Sequence, residues 1–189
     1  MPLHSLKRDP DLPPDLLAAI AWTAVEAARA AAAIQLRHFR KGAPAARRLT
    51  RDVKLEVDRR CEEAVIQVIR ARFPAHAILA EEGGAVEGRA PFLWIVDPLD
   101  GTVNFFHGLP QFCACVACCH LPEGGPPPAK AADLLAGGLV GVVLAPGTGE
   151  LFMGVRGQGA ALDGRPLACS NARALEEVIV ALSFGKTEA

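Results

Sequence analysis

Residues 94–105 read Trp94-Ile95-Val96-Asp97-Pro98-Leu99-Asp100-Gly101-Thr102-Val103-Asn104-Phe105, and the organisation of the whole chain follows from them. The apolar residues up to Val96 predict a buried β-strand that stops at the carboxylate of Asp97. Pro98 fixes its own φ and keeps Asp97 extended, so we expect the chain to leave the sheet sharply there. The sequence therefore predicts a tight turn at a strand end that carries two carboxylates, Asp97 and Asp100.

This turn has the chemistry of a metal site. Two carboxylates repel each other by about 4 kcal/mol at a separation of roughly 4 Å and an effective dielectric constant near 20. A divalent cation removes that repulsion, and carboxylate and carbonyl oxygens, including the Leu99 carbonyl, suit Mg²⁺. If a helical turn begins at Thr102, the Gly101 and Thr102 amides point at an anion. The turn predicts magnesium beside a phosphate, and its alternative is a turn whose Asp residues only cap backbone amides.

The string Asp-Pro-Leu-Asp-Gly-Thr-x-Asn-Phe over residues 97–105 resembles the signature of the inositol monophosphatase family, within the Mg²⁺-dependent, lithium-sensitive sugar phosphatases. Its Asn104-Phe105 ending is similar to the inositol phosphatase branch. The resemblance covers nearly the whole chain. It implies an α+β fold in which two N-terminal helices pack on a largely antiparallel sheet, the N-terminal half of a layered α/β/α/β/α architecture. It also implies a phosphomonoesterase that hydrolyses a small polyol phosphate, inositol monophosphate above all.

The resemblance assigns metal-binding roles to four residues: Glu81, Asp97, Leu99 through its carbonyl, and Asp100. Glu81 follows a short predicted strand. Along the chain, that strand is followed by Glu-Glu-Gly, then by a second strand, and then by Asp-Pro-Leu-Asp-Gly-Thr, which is the order of the family. The family often has Gly at the position of Ala80, and Glu82 is the alternative ligand if the register slips by one residue. Mg²⁺ is therefore the expected cofactor.

Catalytic and substrate-binding roles follow from the same resemblance. Glu81 and Thr102 would position a metal-bound water for in-line attack. Asp100 and the amides of Gly101 and Thr102 would bind the phosphate of the substrate. Asp58 would lie near the metals and touch Thr102, and its alternative role is a carboxylate favoured by the dipole at a helix N-terminus.

The family's second half is not found in this sequence. That half carries a Trp-Asp motif whose Asp ligates a second metal, whereas here Trp22 precedes Thr23 and Trp94 precedes Ile95. We therefore expect residues 1–189 to form an N-terminal domain whose C-terminal partner is missing, with an apolar face where that partner would pack. A truncated, non-catalytic Mg²⁺-binding remnant or pairing module is the alternative function.

Hydrophobic periodicity gives the other elements. We expect a loose tail over 1–10, a basic loop over 43–51 and a Pro/Gly-rich loop over 121–137. A tight hairpin is expected after Gly157, and His107 is interpreted as a surface or packing residue. The predicted helices span 15–40 and 58–72, with a helical turn at 103–107, and the predicted strands span 77–80, 92–96, 112–120, 139–144, 150–155 and 178–182.

Composition narrows the partners and the compartment. Twenty basic and twenty-one acidic residues give a net charge of −1, which argues against nucleic acid or an anionic membrane as the main partner. The N-terminus lacks the apolar stretch of a signal peptide, so a cytoplasmic protein is expected. The expected partner is a small phosphate monoester, and a homodimer is possible because family members commonly form dimers.

Four of the six cysteines crowd into one apolar run, Cys113 to Cys119, between Pro110 and Pro122. A thiolate metal site usually places Cys pairs on a loop or knuckle. The continuous apolar run instead favours a buried strand in which Cys acts as a small hydrophobe. Zinc binding and a disulfide remain the alternatives for this cluster.

Overall fold

The computed structural model describes residues 12–41, 45–49, 52–81, 84–86, 88, 91–121 and 136–181. The expected tail over 1–10, Glu82 and residues 122–135 of the Pro/Gly-rich loop lie outside these residues. The described chain forms two long helices and a sheet, so the predicted α+β class is confirmed.

Both long helices begin and end close to the predicted positions. Helix α1 spans Pro14–His38 with proline in its first turn, and helix α2 spans Glu56–Arg72. Alanine is the strongest helix former and its small side chain permits close helix packing, which explains the Ala-rich face of α1 against α2. Ala24, Ala28 and Ala31 are fully buried in the core.

Ten strands and a short helix complete the described fold. They are β1 (Ala45–Leu49), β2 (Asp52–Leu55), β3 (Ala77–Ala80), β4 (Gly84–Val86), β5 (Phe92–Asp100), α3 (Thr102–Phe106), β6 (Cys113–His120), β7 (Gly138–Ala145), β8 (Glu150–Val155), β9 (Gly159–Leu162) and β10 (Arg165–Pro166). Strands β1 and β2 pair as a separate hairpin, and the other eight form one sheet in the order β10-β9-β8-β7-β6-β5-β3-β4. In that sheet β3 and β5 run parallel while every other pair is antiparallel.

The sheet presents two different faces. Alternate residues such as Trp94, Val116 and Val142 are almost completely buried in the core with α1 and α2. The opposite face carries Val143, which is exposed, and Ile95, which is half-buried and lines a largely apolar cavity of about 570 Å³. The described residues thus include a partly exposed apolar face, and the packing of a C-terminal half against it stays a prediction.

Three expectations about the elements are wrong. The strand expected over 92–96 does not stop before Asp97 but continues as β5 to Asp100, because Asp97 and Asp100 both keep their pairing with β6. The basic stretch 43–51 is not simply a loop, because residues 45–49 form β1 and pair with β2. The basic residues suggested a loop, but backbone hydrogen bonds to the segment before α2 make this stretch a strand. The predicted strand at 178–182 is not formed over 178–181, where Ile179 and Val180 are exposed and no described strand pairs with them. The hairpin after Gly157 is confirmed as β9 and β10.

Helix α1 is long and apolar enough to cross a membrane by length and composition alone. However, 56% of its most apolar window is buried inside the protein. Ile20 and Ala24 lie in the same core as Trp94 and Val65. Its apolar character is therefore accounted for by packing in the core.

Candidate active site

The carboxylates meet because β3 and β5 are parallel neighbours. Ala80 is in register with Val96, and the amide of the following residue, Glu81, donates to the Val96 carbonyl at 3.2 Å. The residues that follow this pair, Glu81 just after β3 and Asp97 within β5, therefore lie side by side. A cavity of about 240 Å³ opens there. Its described lining residues are Glu81, Asp97, Leu99, Asp100, Gly101, Thr102, Val103 and Asn104.

A bulge brings the second aspartate into the cavity. Asp97 pairs with Cys115 and Asp100 pairs with Cys113, so β5 carries one residue more than β6 between these two pairs. The extra residue bends the strand and turns its end. Pro98, which has no amide hydrogen to contribute to the ladder, lies inside this bulge.

The turn is held by its own hydrogen bonds. The Leu99 amide donates to Asp97 Oδ1 at 3.3 Å, and the Thr102 hydroxyl donates to the Leu99 carbonyl at 3.0 Å. Gly101 has a φ of +84°, and its carbonyl accepts from the Phe105 amide to open α3. Asn104 Nδ2 donates to the Gln111 carbonyl at 2.8 Å. These bonds fix the Leu99 carbonyl and the Thr102 hydroxyl beside the carboxylates.

The site carries excess negative charge. Burial, followed by the charges of Glu81 and Asp100, raises the pKa of Asp97 to about 7. The described residues that line the cavity include no Lys, Arg or His to balance this charge. Three carboxylates and a carbonyl oxygen in one cavity are the donor set that Mg²⁺ prefers, so these residues fit the cation.

One residue that supports the site was not identified from the sequence. Gln35 in α1 is fully buried, and its Nε2 donates to the carbonyls of Pro98 at 2.8 Å and Cys113 at 3.2 Å. It thereby ties α1 to both strands that flank the bulge. In the sequence Gln35 falls on the apolar stripe of α1, and a polar residue at such a position was the available signal.

The remaining predicted site residue, Asp58, lies elsewhere. Asp58 is buried and does not line the cavity. It lies in the first turn of α2, where the alternative role, a carboxylate at a helix N-terminus, would place it. Burial, with a smaller contribution from the Asp58 charge, raises the pKa of the nearby Cys61 thiol to about 12. His107 is exposed just after α3.

Fold and site together define an α+β domain with an acidic, oxygen-rich cavity where two parallel strands end. Comparison with known proteins identifies the lineage: the chain belongs to the inositol monophosphatase family, whose model matches residues 16–189. The sequence-based resemblance is thereby confirmed, and the chain is of phosphatase lineage.

Individual relatives agree in fold and differ in name. "Nus factor SuhB" of Pseudomonas aeruginosa is 40% identical over 137 residues, which cover 71% of this chain and 45% of the relative. "Inositol monophosphatase 3" of Solanum lycopersicum is 35% identical over 166 residues, or 86% of this chain and 57% of the relative. The crystal structure of the suppressor protein SuhB from Bartonella henselae matches with a TM-score of 0.71 at 30% identity, over 84% of this chain and 56% of that one. The chain spans about half the length of the curated relatives it matches.

Proposed function

We propose that the chain carries the magnesium site of a phosphomonoesterase that hydrolyses a small polyol phosphate, inositol monophosphate above all. The observation that carries the proposal is the convergence of Glu81, Asp97, Asp100 and the Leu99 carbonyl on one cavity beside the start of α3. The tomato relatives named inositol monophosphatase support this choice of substrate.

In this proposal Glu81, Asp97, Asp100 and the Leu99 carbonyl hold Mg²⁺. When bound, the cation would lower the pKa of water and offset the negative charge of the phosphate. Burial, and then the repulsion from the ligand-free carboxylates of Glu81 and Asp100, raises the pKa of Asp97. The site is therefore built to bind positive charge before it binds a phosphate dianion.

Thr102 and Gly101 have separate tasks. The Thr102 hydroxyl already donates its hydrogen to the Leu99 carbonyl, so its lone pairs are left to accept a hydrogen bond from a water molecule. Glu81, an exposed carboxylate at the rim, would orient the same water from the other side. Amides at the start of a helix have no carbonyl partner within that helix, so those of Gly101 and Thr102 are proposed to receive phosphate oxygens.

The first test is phosphate release from inositol 1-phosphate by the full chain in the presence of Mg²⁺. We expect Asp97→Asn to lower the rate at least about 100-fold, since it removes a charged metal ligand and its stabilisation of the reacting charges. Asp15→Asn is the matched control, because Asp15 is an exposed carboxylate in the first turn of α1. Unchanged release by Asp97→Asn would refute the assignment of the metal site.

A second candidate function is a Mg²⁺-binding module without turnover. It would need only the cation site, the cavity lined by Glu81, Asp97 and Asp100, and not the positioning of a substrate. Titration calorimetry that shows Mg²⁺ binding, lost in Asp97→Asn, together with no phosphate release would select this function.

Partners and compartment remain predictions. The expected substrate, a small phosphate monoester, follows from the family. The prediction that nucleic acid is not a partner rests on the net charge of −1. It stays a prediction, since several relatives are named Nus factors. Homodimer formation and a cytoplasmic location likewise stay predictions from the sequence. The role of Asp58 near the cation is also proposed only on the family resemblance.

A further inference from the structure

We propose that Asp100, Cys113 and Cys115 form a second metal site, which takes a thiophilic divalent cation such as Zn²⁺. The three side chains offer ligand atoms that all lie within 4.8 Å of one another. This donor set differs from the all-oxygen set of the proposed magnesium site and shares one residue with it, Asp100.

Strand geometry places the three residues together. Cys113 and Cys115 are two residues apart in β6, so their side chains leave the same face of the sheet. The bulge in β5 brings Asp100 into register with Cys113 and Asp97 into register with Cys115. Both thiols are partly exposed and Asp100 is exposed, so an ion from solvent has access.

The distances suit a tetrahedral ion. Zn²⁺ binds thiolate sulfur at about 2.3 Å and carboxylate oxygen at about 2.0–2.2 Å, which in tetrahedral geometry requires about 3.8 Å between two sulfurs and about 3.5 Å between sulfur and oxygen. The Sγ atoms of Cys113 and Cys115 are 3.7 Å apart, and Cys113 Sγ lies 3.6 Å from Asp100 Oδ2. Two of the three ligand distances thus already match those that the ion needs, and the third, between Cys115 Sγ and the Asp100 carboxylate, is no more than 4.8 Å.

The structure divides the cysteines of β6 by face. Cys118 is fully buried and belongs to the core, as the sequence predicted for the whole run. Cys113 and Cys115 lie instead at the acidic end of the strand, next to the cavity lined by Asp100. Thiolate ligands select Zn²⁺ over Mg²⁺, which prefers oxygen.

Because they share Asp100, the two sites compete for that carboxylate. A Zn²⁺ ion held by Asp100 and both thiols would withdraw one ligand from Mg²⁺, so Zn²⁺ would inhibit phosphate release. This consequence rests on the proposed function, whereas binding of the thiophilic ion does not.

The test uses the reduced full chain and Co²⁺ as a spectroscopic substitute for Zn²⁺. Wild type is expected to develop a thiolate-to-cobalt charge-transfer band that saturates at one ion per chain and disappears when Zn²⁺ is added. Cys113→Ser and Cys115→Ser should each weaken Co²⁺ binding at least about tenfold. Loss of a residue that only hydrogen-bonds to a metal ligand already costs about that much, and these residues are the ligands themselves. Cys169→Ser is the matched control because Cys169 is an exposed cysteine outside this cluster.

The outcomes separate this site from the magnesium site. Lack of a charge-transfer band in wild type, or a band of unchanged affinity in both Cys113→Ser and Cys115→Ser, would overturn the proposal. Asp97→Asn should keep the band while losing phosphate release, because Asp97 is not one of the three ligands. If a serine variant fails to fold by circular dichroism, Cys113→Ala and Cys115→Ala replace it in the same titration.

Discussion

At the residue scale, the protonation of Asp97 decides how the metal-free site behaves. Its pKa is raised to about 7, first by burial and then by the charges of Glu81 and Asp100. An Asp in an unfolded chain has a pKa of about 3.9. Between these values the folded protein binds more protons at Asp97 than the unfolded protein does, so this residue makes the folded state less stable as the pH rises.

We therefore predict that, without metal, Asp97→Asn unfolds at a higher temperature than wild type at pH 8. The advantage of the variant should grow from about pH 4 to pH 7 and then level off, because the wild-type carboxylate is fully ionised in both states above its raised pKa. Thermal melts in EDTA across this range provide the measurement. Mg²⁺ should stabilise wild type and leave Asp97→Asn unchanged.

Comparing the two proteins at each pH removes the effect of other titrating groups. His76 acts in the opposite direction, since burial followed by the Arg70 charge lowers its pKa to about 4. Its neutral ring accepts a hydrogen bond from Trp94 Nε1 at 3.0 Å. If Asp97→Asn is less stable than wild type at pH 8, then burial and the neighbouring charges do not destabilise the ionised Asp97 carboxylate.

At the scale of elements, the turn between β5 and α3 depends on a glycine. Gly101 has a φ of +84°, and a Cβ atom there would lie 2.7 Å from the Gln111 carbonyl oxygen. Gly149 has nearly the same φ, +81°, but a Cβ atom there would meet no atom within 4 Å. The two positions therefore separate backbone strain from steric collision.

We predict that Gly149→Ala costs about 1–2 kcal/mol of unfolding free energy, the strain of a left-handed residue. Gly101→Ala should cost at least about 1 kcal/mol more, because the backbone of Gln111 must also move. Urea denaturation of both variants measures the difference, and Mg²⁺ titration should show weaker binding for Gly101→Ala alone. Equal costs would show that the close approach at Gly101 is relieved without disturbing the turn.

At the scale of the whole molecule, one side chain joins the helical layer to the site. Gln35 bonds to Pro98 and Cys113, which are 63 and 78 residues away in sequence. Both acceptors are main-chain carbonyls at the bulge, Pro98 inside it and Cys113 in the paired strand at its edge, and the Gln35 side chain is fully buried. The position of the turn therefore depends on how α1 packs against the sheet.

We predict that Gln35→Ala lowers the free energy of unfolding by about 2–4 kcal/mol, since two carbonyls lose their donor inside the protein. It should also weaken Mg²⁺ binding, although Gln35 does not line the cavity. Gln67→Ala is the control, because Gln67 is exposed on α2 and its loss should cost less than about 0.5 kcal/mol. Denaturant unfolding measures the change in stability, and titration calorimetry measures the change in Mg²⁺ affinity. If Gln35→Ala is destabilised but binds Mg²⁺ as tightly as wild type, Gln35 has a structural role only.

Much of the fold was predictable because it depends on local pattern. Ala density and apolar spacing predicted α1 and α2 to within two residues at each end, and the apolar runs at 139–144 and 150–155 predicted β7 and β8 to within one residue. The strand β1 was missed because its only large apolar residue is Leu49, and because its partner β2 was interpreted as the segment leading into α2. The strand expected at 178–182 was wrong because β-branched residues predict a strand whether or not a pairing partner exists.

The sequence by itself determined the turn and its chemistry: two carboxylates separated by proline and leucine, followed by a glycine. Such features depend on covalent neighbours, so they can be read along the chain. Only the tertiary structure decided that Glu81 meets Asp97 through parallel pairing, that Gln35 supports the turn, and that Cys113 and Cys115 face Asp100. These contacts depend on strand order and on a bulge of one residue, and both are set by the packing of the whole sheet rather than by any local pattern.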